Sequence, residues 1–112
     1  MNDVKRDKLI KAYAPMTETA FYILLSLLEP RHGYGIMKHV EELTKGRIQL
    51  GSGTVYGTLT KMQRDGLIHV YSTKERKKMY QITVDGQHIL KIEMHRLSEL
   101  HSNAMKYGGD LL

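Results

Sequence analysis

The sequence predicts a mainly α fold carrying one small β-hairpin. Apolar residues recur at three- and four-residue steps along most of the chain. Two short alternating segments lie close together between residues 67 and 82, and from Thr83 to Gly108 nothing stops a helical pattern. The 112 residues suffice for one domain and are too few for two ordinary ones. With one Phe and no Trp the core is modest, and domains of this kind often gain stability by dimerising.

The first element expected is a helix from Asp3 to Tyr13, with Val4, Leu9, Ile10 and Tyr13 set among basic residues. Thr17 precedes Glu18 and opens a second helix, whose apolar run reaches Leu28 and which Pro30 ends. His32-Gly33-Tyr34-Gly35 reads as a turn. Ile36, Met37, Val40 and Leu43 then follow helical spacing opposite Lys38, Glu41 and Glu42, and Gly46 is expected to close that helix at its C′ position. A short extended piece, Arg47-Ile48-Gln49-Leu50, leads into GSGTVYGTLTKMQRDG at 51–66. There Val55, Leu59 and Met62 form a narrow apolar stripe at i, i+4 and i+7. Gly51 or Ser52 caps its start, Ser52 being the better side-chain cap, and Gly66 ends it.

Leu67 to Tyr71 is rich in β-branched and aromatic residues and reads as a strand. Met79 to Ile82 is its expected partner, with Ser72 to Lys78 as the connecting loop. Thr83 starts the last helix, along which Leu90, Leu97, Leu100, Ala104 and Tyr107 make one face, with Ile89, Ile92 and Met94 beside it. That face is more apolar than so small a domain can cover, so a helix from a second copy is expected against it. Two helices in tight succession followed by a hairpin make a winged helix-turn-helix. The predicted organisation is that unit with an N-terminal helix at 1–82, and a long dimerisation helix at 83–112.

Charge points to the kind of partner. Residues 45–80 carry eight Lys or Arg against only Asp65 and Glu75, whereas the flanking segments are balanced or slightly acidic. Localised basicity suits a polyanion, either nucleic acid or an anionic membrane surface. In helix-turn-helix proteins the second helix enters the major groove. With Val55, Leu59 and Met62 turned inward, Gly53, Thr54, Gly57, Thr58, Lys61 and Arg64 fall largely on the open side, and Ser52 stands at the helix start. Glycines at 53 and 57 cost a helix about 1 kcal/mol each relative to alanine. They suit either close approach to a nucleic-acid backbone or helix crowding within the fold. Lys74, Arg76, Lys77 and Lys78 fall on the hairpin, where their mutual repulsion is relieved by phosphates and the release of counterions. The partner expected is therefore double-stranded DNA.

HGYGI at 32–36, GSGTVYGTLTKMQRDGLI at 51–68, ERKKMYQIT at 75–83 and Gly86 resemble the PadR-type transcriptional regulators. The resemblance runs from about Thr19 to the end of the chain. It implies a homodimeric repressor on a palindromic operator, with the N-terminal and last helices forming the dimer. Carried over by motif, Tyr34, Thr54, Tyr56 and the 74–78 wing would contact DNA. Leu9, Tyr13, Leu90, Met94, Leu97, Leu100 and Ala104 would then form the dimer interface. In some short members the dimer encloses a cavity for flat aromatic compounds, which here would be lined by Leu9, Tyr13, Met94 and Leu97. Two features depart from the pattern: Gly51-Ser52 stands where members often have Ser-Pro, and the wing is short.

Other classes find less support. The chain has no cysteine, which excludes disulfides, thiolate metal sites and cysteine nucleophiles and fits a reducing compartment. No nucleophile elbow, phosphate-binding glycine loop or plausible carboxylate pair appears, so the chain does not read as an enzyme, and no cofactor is implied. His88, His95 and His101 share one helix, with Glu99 four residues after His95, but a metal site lacks a third ligand and the histidines read as surface or interface residues. MNDVKRDKLIKAYA has no apolar signal core, and Ala20 to Leu28 is too short to span a bilayer, so a cytoplasmic protein without a membrane partner is expected. A winged helix whose basic patch meets an acidic protein is the rival reading.

Overall fold

In the computed structural model, which describes residues 2–112, the helices meet on an apolar centre supplied by every major element. Helices α1 (Asp3–Tyr13), α2 (Glu18–Ser26), α3 (Gly33–Leu43) and α4 (Ser52–Arg64) are followed by strands β1 (Ile68–Lys74) and β2 (Lys77–Ile82). Helix α5 (Val84–Gly108) and a short 3-10 turn complete the chain. Ile23, Leu24 and Leu27 of α2 and its C-cap, Ile36 and Val40 of α3, and Val55, Leu59 and Met62 of α4 are buried together. Ile89 and Leu90 close that core from α5, and Leu9 and Tyr13 from α1. The arrangement is a winged helix-turn-helix with one helix before it and a long helix after it.

Local chemistry explains the boundaries. Thr17 caps α2 and Thr83 caps α5, each accepting a backbone N–H three residues on. At the end of α4, Gly66 (φ +80°) donates to Gln63 O and Leu67 to Met62 O, the paired bonds of a Schellman motif, with Met62 and Leu67 both buried. The end of α3 departs from expectation: Lys45 (φ 52°) takes the C′ position and Gly46 is C″, its N–H reaching Glu41 O at 2.8 Å. Helix α2 stops at Ser26, short of Leu28, where Leu27 and Leu28 close tighter i−3 bonds to Leu24 and Leu25.

Two expectations about backbone are corrected. His32-Gly33-Tyr34-Gly35 is no free turn but the start of α3, which His32 caps by accepting the Gly35 N–H on Nδ1 at 3.1 Å. Ser72 to Lys78 is not a loop either. The strands continue through it, pairing Ser72 with Met79, Thr73 with Lys78 and Lys74 with Lys77 around a two-residue turn. Glu75 and Arg76 both have positive φ (52° and 65°), the sign pattern of hairpin turns that match strand twist. The paired strands are therefore longer than the sequence suggested. Its base is fixed by Arg31, which exchanges backbone hydrogen bonds with Tyr80, and by the Ile82 N–H donated to Leu27 O.

The first half of α5 belongs to the core. Gly86, Ile89, Leu90 and Glu93 are buried, whereas every residue from Leu97 to Tyr107 is exposed. At about 1.5 Å per residue its 25 residues span roughly 37 Å, which accounts for much of the 52 Å long dimension. No described helix is long and apolar enough to cross a membrane.

Candidate nucleic-acid interface

Helix α4 presents its smallest residues to open space. A Cβ added at Gly53 or Gly57 would meet no atom within 4 Å, so packing inside the fold is not what keeps those positions small. Ser52, Gly53, Thr54, Tyr56 and Gly57 are exposed, and Thr58 is half-buried. Ser52 is the first helical residue rather than the cap: Gly51 takes that place and offers no side-chain acceptor. The first N–H groups of α4 are thus left to solvent or to an anionic ligand, which the positive end of the helix dipole favours.

Tyr56 leaves α4 toward α3, where the space of a Cβ on Gly33 is already taken by its ring, 2.5 Å from the ideal position. Glycine at 33 is required for that overlap and not for a special φ. Together with the wing, this junction forms an open depression of about 290 Å³ lined by His32, Tyr34, Tyr56, Arg76, Lys77, Lys78 and Tyr80. The His32 and Tyr34 rings stack with 6.3 Å between centroids. Because the Nδ1 of His32 accepts the helix-capping bond, the neutral ring carries its proton on Nε2. Burial, then the neighbouring Tyr56, pushes the Tyr80 phenol above its ordinary range. A concave site of aromatic faces and three cations suits a phosphate-bearing backbone. His32 and Tyr80 join the residues expected at this face; a histidine directly before Gly-Tyr-Gly was the available signal for the first.

Lys74, Arg76, Lys77 and Lys78 are all exposed on the wing. Lys74 stands directly opposite Lys77 in the strand register, a like-charge pair that disfavours the hairpin in isolation. Among the described residues these cations make no ion pair, Glu75 at the turn included. Arg64 is also exposed. Lys61 differs from the residues on the open side of α4. Its ammonium lies over the Tyr13 ring, 4.5 Å from the centroid, on the flank facing α1.

The residues expected at a dimer interface divide. Leu9, Tyr13 and Leu90 are buried in the core of their own chain. Met94, Leu97, Leu100 and Ala104 are exposed on α5. Of the four residues expected to line an effector cavity, Leu9 and Tyr13 are buried in the single chain and Met94 and Leu97 are exposed. Leu97 borders a cleft of about 370 Å³ with Met16, Glu18, Phe21, Tyr22 and Arg96. Beneath its rim, Glu93 is fully buried and accepts hydrogen bonds from the Met16 N–H and from Arg96 Nε (2.7 Å) and Nη2 (3.1 Å). Burial alone would raise its carboxyl, but the Arg96 and Met16 donors hold it below the ordinary carboxylate range. His88, His95 and His101 are exposed, and among the described residues no group of three or more His, Cys, Asp or Glu could hold a metal.

Comparison with known proteins finds related sequences and folds. The model of the transcriptional regulator PadR-like family matches residues 23–92, which include α3, α4, the wing and the start of α5. A PadR family transcription regulator from Clostridium difficile superposes with a TM-score of 0.66 at 26% identity, covering 79% of this chain and 96% of that one. Bacillus subtilis PadR, solved in complex with operator DNA, superposes with a TM-score of 0.59 at 25% identity over 70% of this chain and 47% of its own. The transcriptional regulator YqjI of Escherichia coli is 32% identical over 66 residues, 57% of this chain and 32% of that protein. The chain spans between a fifth and a third of the length of the curated relatives it matches.

Proposed function

The chain belongs to the PadR-like family of transcriptional regulators, and on that premise we propose that it is a repressor that binds a pseudo-palindromic operator as a homodimer. One observation carries the DNA reading: the face of α4 around Gly53 and Gly57 is open, and beside it stands a wing whose cations have no carboxylate partner among the described residues. Such a face admits a base edge or sugar, while Thr54 and Tyr56 supply hydroxyls and Lys77 and Lys78 supply phosphate contacts. Two copies of α4 would enter successive major grooves about 34–36 Å apart. Bacillus subtilis PadR, with operator DNA in its solved structure, supports the assignment by analogy.

Anisotropy titrations of variants separate positioning contacts from sequence-reading ones. Lys77→Ala is expected to weaken binding to all duplexes alike and to reduce the slope of log K against log salt by about one. Thr54→Ala is expected to change the ratio of operator to random-DNA affinity by roughly tenfold, the scale of one base contact. A uniform loss in both variants would remove Thr54 from the set of sequence-reading residues.

The exposed half of α5 supplies the dimer in this reading. Met94, Leu97, Leu100 and Ala104 present an apolar stripe that a second α5 would cover, so only the part of 83–112 beyond the core serves dimerisation. Leu97→Lys is expected to raise the dimer dissociation constant at least tenfold in sedimentation equilibrium, because it buries a charge in an apolar contact. The cleft of Met16, Phe21, Tyr22 and Leu97 with Arg96 at its rim suits a small aromatic effector that releases DNA.

A further inference from the structure

Three ionisable side chains crowd the last turn of α4: Lys61, Arg64 and Asp65. On an isolated helix Asp65 would pair with Lys61 one turn before it, cancelling a cation that DNA needs. The structure prevents this through α1. The Tyr13 hydroxyl donates to Asp65 Oδ2 at 2.6 Å, and the Tyr13 ring sits under the Lys61 ammonium at 4.5 Å. Arg64 Nε stands 3.8 Å from the other carboxylate oxygen, a loose ion pair with no hydrogen bond, so among the described residues Lys61 is the cation left unpaired here. Tyr13 is 7% exposed and held by the core, so it is a fixed partner for both groups. Burial and the Asp65 carboxylate push its phenol upward, so the hydroxyl keeps the proton it donates.

We propose that Tyr13 is a positioning residue for DNA binding: by occupying Asp65 it keeps Lys61 available to phosphates. The inference rests on the reading of α4 as the DNA-facing helix. Without the hydroxyl, Asp65 is left to Lys61, one helical turn before it. An internal ion pair forms there, and a phosphate must break it before it can bind. One fewer counterion is then released, which makes the salt slope shallower by about 0.9 and lowers affinity by roughly five- to tenfold at 0.1 M salt.

The test is a salt series of anisotropy titrations on a random-sequence duplex with four proteins: the unchanged chain, Tyr13→Phe, Asp65→Asn and the double variant. Tyr13→Phe keeps the ring in the core, and thermal melting of each protein reports folding separately. The expected result is a slope shallower by about one in Tyr13→Phe, restored when Asp65→Asn is added, with Asp65→Asn alone nearly unchanged. That rescue is a signature a merely structural tyrosine would not give. A slope in Tyr13→Phe equal to that of the unchanged chain, or an Asp65→Asn effect of the same size in both backgrounds, overturns the inference and leaves the DNA reading intact. Salt-independent binding by the unchanged chain overturns the DNA reading itself, and this inference with it.

Discussion

Glu93→Ala is expected to lower stability by about 3 kcal/mol, near the bottom of the range for breaking a buried pair because the Arg96 side chain is 33% exposed and can turn to water. Glu93 is fully buried on α5, and its oxygens hold both the Met16 N–H and the Arg96 guanidinium. Removing it orphans a backbone donor in the α1–α2 connection as well as a cation, and loosens α5 from α2. The pH dependence follows from the depressed carboxyl. A carboxylate held below its unfolded value adds stability that is fully present above the unfolded pKa and is lost as the pH falls through the folded one. The gap between the unchanged chain and Glu93→Gln in urea unfolding should therefore be wide at neutral pH and narrow on acidification. An equal gap at both would mean that the carboxylate charge contributes nothing.

Gly86→Ala is expected to cost about 2–3 kcal/mol and to shift the angle at which α5 leaves the winged helix. An ideal Cβ at 86 would lie 2.1 Å from Leu67 O and 2.6 Å from Ile82 Cγ1. The first of these is backbone that cannot swing away, for Leu67 O accepts the Thr83 N–H at 2.9 Å. Thr83 Oγ1 meanwhile donates to Gly66 O and accepts the Gly86 N–H. The first turn of α5 is thus joined to the corner between α4 and β1, and a methyl group must push the two apart. In the proposed dimer that angle sets the spacing of the two α4 helices. Operator affinity should fall further than random-DNA affinity. Unchanged urea unfolding in Gly86→Ala would show that the corner yields without cost.

Much of this was legible in the sequence because it depends on local period. The bounds of α1, the Val55-Leu59-Met62 stripe of α4 and the uninterrupted α5 all follow from apolar spacing and capping residues. What escaped depends on contacts distant in sequence. Two glycines around Tyr34 signalled a turn, yet Gly33 is small because Tyr56 lies across it. The outer wing carried no apolar alternation because both of its faces are exposed, so Ser72 to Lys78 looked like a loop. Arg31 pairs with Tyr80 as an isolated bridge too short to leave a pattern. Glu93 sits in a polar-looking Glu-Met-His-Arg stretch, and only the fold shows that it is buried. Tyr13 has the spacing of a core residue, and its hydroxyl partner lies 52 positions away.

The measurement that tests the central claim most directly is an anisotropy titration of the whole protein against the DNA upstream of its own gene and against a scrambled duplex, from low to moderate salt. The account predicts tighter binding to the upstream DNA, with both affinities falling steeply as salt rises, since phosphate contacts from the wing and α4 release counterions. Weak binding that ignores both sequence and salt would contradict it and would turn the basic wing toward an acidic protein partner instead.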